Sequence, residues 1–223
     1  GTLMSHCVAV AELQSVLSSY RNVEAPLFAL DYLNRGRACF AKGQWDLAIA
    51  DYTQTLELDP NLKDAYLGRA AAYANKFDHQ KALSDLNKYL ELDPQSSDAF
   101  YRRGVTHWRA KDELRAIEDF NKAKTLGLNS YELFYDRGNC YNNLNRVDWA
   151  LADYERAVAI DPQRYPVYLY IARIHWNKMA KMQTRDGTHR QKSLRAYETF
   201  LRLAPAGEPS IGEAAESIAQ LKR

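Results

Sequence analysis

The chain has 223 residues, 46% of them hydrophobic and 26% charged, a balance that excludes a disordered polyelectrolyte and fits a folded, water-compatible protein. Lys and Arg number 30 against 28 Asp and Glu, so the formal charge of +2 argues against bulk attraction to a polyanion. No apolar run approaches the roughly 20 residues of a membrane-spanning helix, and Cys7, Cys39 and Cys140 lack the spacing of a disulfide framework or a zinc site.

The opening GTLM suits a cloning scar and leaves the compartment undetermined, with the cytoplasm favoured. Residues 5–28 then bring Val8, Leu13, Val16, Leu17 and Tyr20 to near-helical spacing, which predicts a helix capping the N-terminal end of the fold. From Leu33 the stretch LNRGRACFAKGQWDLAIADYTQTLELDP carries two apolar runs of helical period on either side of KGQWD, which predicts two helices and a tight turn. The pattern recurs every 34 residues. Aromatics return at Tyr32, Tyr66, Phe100, Phe134 and Tyr168, and small residues at Gly36, Ala70, Gly104, Gly138 and Ala172. Ala48, Ala82, Ala116 and Ala150 mark the second helix of each unit, and Pro60, Pro94 and Pro162 stop it. Leu128 stands where the third unit lacks its proline, which predicts a looser boundary there.

An aromatic, a small residue, a regularly phased Ala, a second aromatic and a closing Pro over 34 residues resemble the tetratricopeptide repeat. The resemblance covers 29–62, 63–96, 97–130 and 131–164 closely. It covers 165–205 more loosely, because that unit carries nine extra residues near 179–192. It implies an all-α fold: a right-handed superhelix, or α-solenoid, of antiparallel helix pairs. Residues 206–223, with Ile211, Ala214, Ala215, Ile218 and Leu221 on one face, are expected to cap the C-terminal end.

Two charged series share the same register, Arg35, Arg69, Arg103 and Arg137 with Asp51, Asp85, Asp119 and Asp153. In paired antiparallel helices an Arg and an Asp equidistant from the turn can face one another, within a unit or across to the next. The expectation is an Arg–Asp ladder that holds helix register, since a guanidinium fork suits a carboxylate. Binding of an anionic ligand by the arginines is the alternative.

The segment 177–192 is expected to prolong the first helix of the fifth unit and then break at Asp186-Gly187; it holds Lys178, Lys181, Arg185, Arg190 and Lys192 against Asp186 alone, a basic loop either simply solvated or contacting an acidic partner or nucleic acid. His107 and His175 fall in the slot that also holds Cys39, Tyr73 and Tyr141, which predicts packing histidines rather than metal ligands. No phosphate loop, nucleophile elbow or catalytic triad spacing is present, so neither catalytic residue, metal nor cofactor is expected.

The resemblance further implies a groove lined by the first helix of each unit that takes a protein or peptide segment. The groove positions are Leu33, Arg37 and Phe40, then Leu67, Ala71 and Ala74, then Tyr101, Arg102, Trp108 and Arg109. Tyr135, Asn139, Asn142 and Asn143 follow, with Arg173, Trp176 and Asn177 in the fifth unit. Trp108 is expected to be exposed, whereas Trp176 is placed equally well in the groove or against a neighbouring helix. Partner contacts are expected to concentrate after residue 97, where aromatic, Arg and Asn side chains gather. The carboxylate clamp of co-chaperone members is disfavoured, because Leu33, Arg37, Gly68, Asp98 and Arg102 occupy its positions and only Arg102 matches. The expected function is a non-enzymatic adaptor, with an acidic flank on its partner met by the basic segment. The alternatives are a regulatory or substrate-recruiting region of a larger enzyme and, less favoured at near-neutral charge, a nucleic-acid-binding repeat. Composition leaves oligomeric state open.

Overall fold

Helix follows helix along the computed structural model, which describes residues 28–182 and 187–223 and contains no strand among them. The helices are α1 (28–41), α2 (Trp45–Leu58), α3 (Lys63–Asn75), α4 (His79–Leu92), α5 (Ser97–Arg109) and α6 (Glu113–Thr125). They continue as α7 (Tyr131–Asn143), α8 (Val147–Ile160), α9 (Pro166–Met182), α10 (Gly187–Leu203) and α11 (Ile211–Leu221). The fold is all-α. Two compact units divide between Ala110 and Lys111, in the turn between α5 and α6. In the first unit α3 packs on α2 and α4, and α4 on α5; in the second each helix from α6 to α11 packs on the next. The cap expected over 5–28 lies, but for its last residue, outside the described residues.

Close approach of helices depends on the small slots. Tyr52 of α2 lies against both Gly36 and Gly68, where an added Cβ would come within 2.8 and 2.5 Å of its ring. Tyr154 of α8 lies against Gly138 in the same way, 2.7 Å from the position a Cβ would take. The rings are buried, so each glycine makes room for one aromatic side chain rather than for a turn.

Helix ends are built from local bonds. Asp78, Ser96, Asp112 and Ser130 accept from the N–H three residues on and cap α4, α5, α6 and α7. The first helix of a pair ends in a left-handed residue at one phase, Gly43, Phe77 and Asn145, with φ of 73°, 61° and 57°. The next N–H, of Gln44, Asp78 or Arg146, returns to the carbonyl of Cys39, Tyr73 or Tyr141 at 2.8–3.0 Å, a Schellman closure. The third unit, expected to be loose at Leu128, is closed by the same device: Gly127 has φ 97° and Leu128 N–H donates to Ala123 O at 3.0 Å.

Phe77 is 81% exposed and stands where glycine is least strained. Relief of the left-handed strain exceeds the entropy that glycine adds to the unfolded chain. Phe77→Gly should therefore stabilise the first unit by about 0.5–1 kcal/mol, read as a higher urea midpoint. An unchanged or lower midpoint would mean that the Phe77 ring makes a stabilising contact.

The insertion in the fifth pair lengthens α9 and also α10, where a basic loop is expected after Asp186-Gly187. α9 and α10 each run 17 residues against 13 or 14 in α2 to α8, so Lys178 belongs to α9, and Arg190 and Lys192 to α10. Extending both helices satisfies their backbone groups, which a long loop would leave to water. Leu169, Ala172, Ala196, Tyr197, Phe200, Ala214 and Leu221 form one core beneath α11, with Ile211 and Ile218 at its margin; Ala215 is exposed.

Candidate functional site

The charged series pairs within the first, second and fourth repeats. Arg35 Nε and Nη2 donate to the two oxygens of Asp51 at 2.8 and 2.5 Å. Arg69 does the same to Asp85 at 2.8 Å for both bonds, and Arg137 to Asp153 at 2.8 and 2.7 Å. The remaining Nη1 reaches back to the preceding pair: Arg69 to Thr53 at 3.0 Å and Arg137 to Asn121 at 2.6 Å. Arg103 donates to Asn87 at 2.8 Å, while Asp119 is buried within the other unit. Each guanidinium also lies over the aromatic three residues before it, Tyr32, Tyr66, Phe100 or Phe134, at 5.0–5.9 Å from the ring centroid. Sequence reasoning does not single out Thr53, Asn87 and Asn121. Their signal is nonetheless periodic, since each stands 16 residues before a ladder Arg in the 34-residue register.

A pocket of about 260 Å³ opens in the first unit. Ala70, Ala71 and Ala74 of α3 form its floor, with Leu67 and Asn75; Phe40 of α1 closes one side and Leu86 lies beneath. The other side is α5, which contributes Tyr101, Arg102, Val105, Thr106 and Arg109 from one face. Alanine is the cause of the cavity: a run that reads as featureless in one dimension leaves a hollow between larger neighbours. Arg102 Nε donates to Asp98 Oδ2 at 2.6 Å, and Arg37, outside the pocket, pairs with Asp64 at 2.6 Å. Leu33, a groove position by resemblance, is instead core, packed with Ala48, Tyr52 and Leu56.

Trp108 departs from expectation. It does not line this pocket; the indole is half-buried, and its Nε1 is shielded from solvent with no acceptor among the described residues. Burial of the large apolar ring outweighs the lost hydrogen bond.

In the second unit five further groove positions are engaged internally. Asn139 is buried, and its Oδ1 accepts from Tyr154 Oη at 2.8 Å. Tyr135 stacks on Tyr131 with centroids 5.5 Å apart and meets Tyr170 edge-on at 6.0 Å. Burial raises the phenols of Tyr131, Tyr135 and Tyr154 above the usual tyrosine range, so all three remain neutral hydrogen-bonding groups. Asn139 therefore serves the packing of α7 on α8, not a free peptide. Asn143 Nδ2 donates to Glu113 at 3.2 Å. Trp176 packs against the α9–α11 core, and Arg173 forms a two-pronged pair with Glu213 of α11 at 2.8 and 2.5 Å.

A second pocket, of about 240 Å³, gathers Asn142, Asn145, Val147, Tyr170, Arg173, Ile174, Asn177 and Lys178. Both its cations are already paired, Arg173 with Glu213 and Lys178 with Asp148. Its free chemistry is therefore amide-like and neutral.

Below the groove positions of α9, His175 is buried and its Nδ1 lies 3.0 Å from Nδ1 of His189 on α10. One ring must donate and the other accept, which requires at least one neutral imidazole. Burial, then the neighbouring His189, Lys192 and Lys178, push His175 down to about 4. Among the described residues no group of three or more His, Cys, Asp and Glu converges to hold a metal, and no helix is long and apolar enough to cross a membrane. Burial pushes the Cys140 thiol up to about 12, away from reactive thiolate chemistry.

Stacked helix pairs with a shared polar register and open pockets between their first helices define a helical-repeat interaction module. Family models described as TPR repeat and tetratricopeptide repeat match residues 36–76, 67–127 and 131–164, and the chain belongs to the tetratricopeptide repeat family. No curated protein sequence matches it. Among solved structures, MamA protein aligns at 24% identity and a TM-score of 0.68, over 83% of this chain and 99% of that one. YrrB, described as a TPR protein with an unusual peptide-binding site, aligns at 21% and 0.66, over 84% and 92%. PilF of Pseudomonas aeruginosa aligns at 18% and 0.63, over 90% of each chain. At these identities the likeness concerns the fold.

Proposed function

We propose that this protein is a non-enzymatic adaptor that binds a peptide segment of a partner protein, with the alanine-floored pocket of the first unit as the principal contact. The observation that carries the reading is the pocket itself, an apolar hollow ringed by Phe40, Tyr101, Arg102 and Arg109, with alanines of α3 between them. Aromatic and Arg side chains around a desolvated centre are what binding hot spots are made of. Family membership supports the interaction class, and the peptide-binding site named for YrrB lends the ligand class. The second pocket, with Asn142, Tyr170 and Asn177, offers amide groups suited to main-chain contacts.

Filling the hollow tests this reading. Ala71→Trp should weaken binding of an affinity-selected peptide by about tenfold or more, the scale of an interface hot spot, while the urea midpoint moves little because Ala71 is half-exposed. Unchanged affinity in a folded Ala71→Trp protein would place binding elsewhere.

A further inference from the structure

The charge around the first-unit pocket is one-sided. Its lining contains two cations, Arg102 and Arg109, and no carboxylate. The two stand seven residues apart on α5, so about 10 Å separates them along the helix axis at 1.5 Å per residue. Between them Tyr101, Val105, Ala71 and Ala74 keep the surface apolar.

The two arginines are not equivalent. Arg102 is held by Asp98, one turn toward the start of α5. Arg109 is exposed, and among the described residues no carboxylate stands within ion-pair distance of it. Asn75, the remaining polar group on the rim, spends an amide proton on Ala71 O at 2.9 Å, and the Thr106 hydroxyl donates to Arg102 O at 2.8 Å. A single uncommitted guanidinium thus borders an apolar hollow small enough for one side chain to reach across.

We infer that the pocket selects a peptide in which a large apolar residue, seated over Ala71 and Ala74, is followed or preceded within two residues by Asp or Glu bound by Arg109. This rests on the pocket being the binding site proposed above. An internal acidic side chain is favoured over a chain terminus. A terminal carboxylate held in a clamp needs several donors around both oxygens, whereas here Arg102, Asn75 and Thr106 already have partners and Arg109 alone offers its fork. The chemistry is independent of the basic 178–192 segment, to which the sequence alone assigns an acidic flank.

The test uses the intact chain and an array of synthetic peptides. Each has Leu, Phe or Trp at its centre and Asp, Gln or Lys at each neighbouring position in turn, with either a free or an amidated C-terminus. Expected is at least tenfold tighter binding of Asp than of Lys peptides, with Gln between them and amidation without effect. Arg109→Glu should reverse that order, and Arg109→Gln should flatten it; Arg109 is solvent-exposed at the helix end, so folding should survive both. Equal binding of Asp, Gln and Lys peptides, or an order unchanged by Arg109→Glu, would overturn the acidic preference while leaving the pocket in place. Loss of binding on amidation would overturn it in favour of a terminal carboxylate. Binding that is absent throughout, or that persists undiminished in Ala71→Trp, would remove the pocket reading and this inference together.

Discussion

Asp153→Ala should destabilise the second unit by about 3–5 kcal/mol, the cost of leaving a buried charge without its partner. The Arg137 side chain is only 8% exposed, and without Asp153 the hydrogen-bond acceptor left to it is the neutral amide of Asn121. The ladder is graded, and that makes the prediction sharper. Arg69 is 18% exposed and Arg35 64%, so the loss on removing the matched carboxylate should fall in the order Asp153, Asp85, Asp51. Replacing Arg137 and Asp153 together by Met and Ala should cost less than Asp153→Ala alone, because no orphaned charge remains. Urea denaturation of the single and double variants measures this. Equal, sub-kcal losses across the series would return these residues to the class of solvated ion pairs.

The second large effect is acid sensitivity centred on His175. Its folded-state pKa lies at about 4, below the ordinary histidine value of about 6.5, so between those two pH values the unfolded chain binds a proton that the folded chain does not. Stability is therefore lost as pH falls through that window, by ~1.4 kcal/mol per unit and ~3 kcal/mol in all. The neighbours offer no relief. The titratable groups acting on His175 are His189 and Lys192 on α10 and Lys178 on α9, whose ammonium is already paired with Asp148 of α8. His175→Gln, which can still hydrogen-bond His189, should flatten the dependence of the urea midpoint on pH between 4 and 6.5. A wild-type slope in that variant would assign the acid sensitivity to other groups.

Repeat phase is the most legible feature of the chain, because a 34-residue register leaves a mark at every slot. It leads from Tyr32, Gly36, Ala48 and Pro60 to helix pairs, and from Arg69 and Asp85 to facing side chains. The partner at Thr53 is equally periodic but harder to see, since a lone hydroxyl carries less signal than a charge. What phase does not convey is which polar group is already satisfied. Asn139 looks like a free peptide-binding amide until Tyr154, 15 residues on, is seen to occupy it. The pocket is hidden for the opposite reason. Alanine at 70, 71 and 74 contributes little chemistry of its own, and only the depth left between Phe40 and Tyr101 gives it meaning. The extra residues of the fifth unit read as a prolonged first helix and then, after Asp186-Gly187, as a basic loop because charge suggests solvent; an extended α10 presents the same charge to solvent while keeping its backbone bonded.

The most direct measurement is a photo-crosslink from the apolar position of a bound peptide, an Asp-flanked Leu peptide carrying a diazirine there, mapped by mass spectrometry on the intact chain. A partner segment seated in the first-unit pocket predicts crosslinks within 28–41, 63–75 and 97–109, lost in Ala71→Trp. Crosslinks confined to α2 and α4 outside Leu86, or to α9–α11, and unaffected by Ala71→Trp would contradict it.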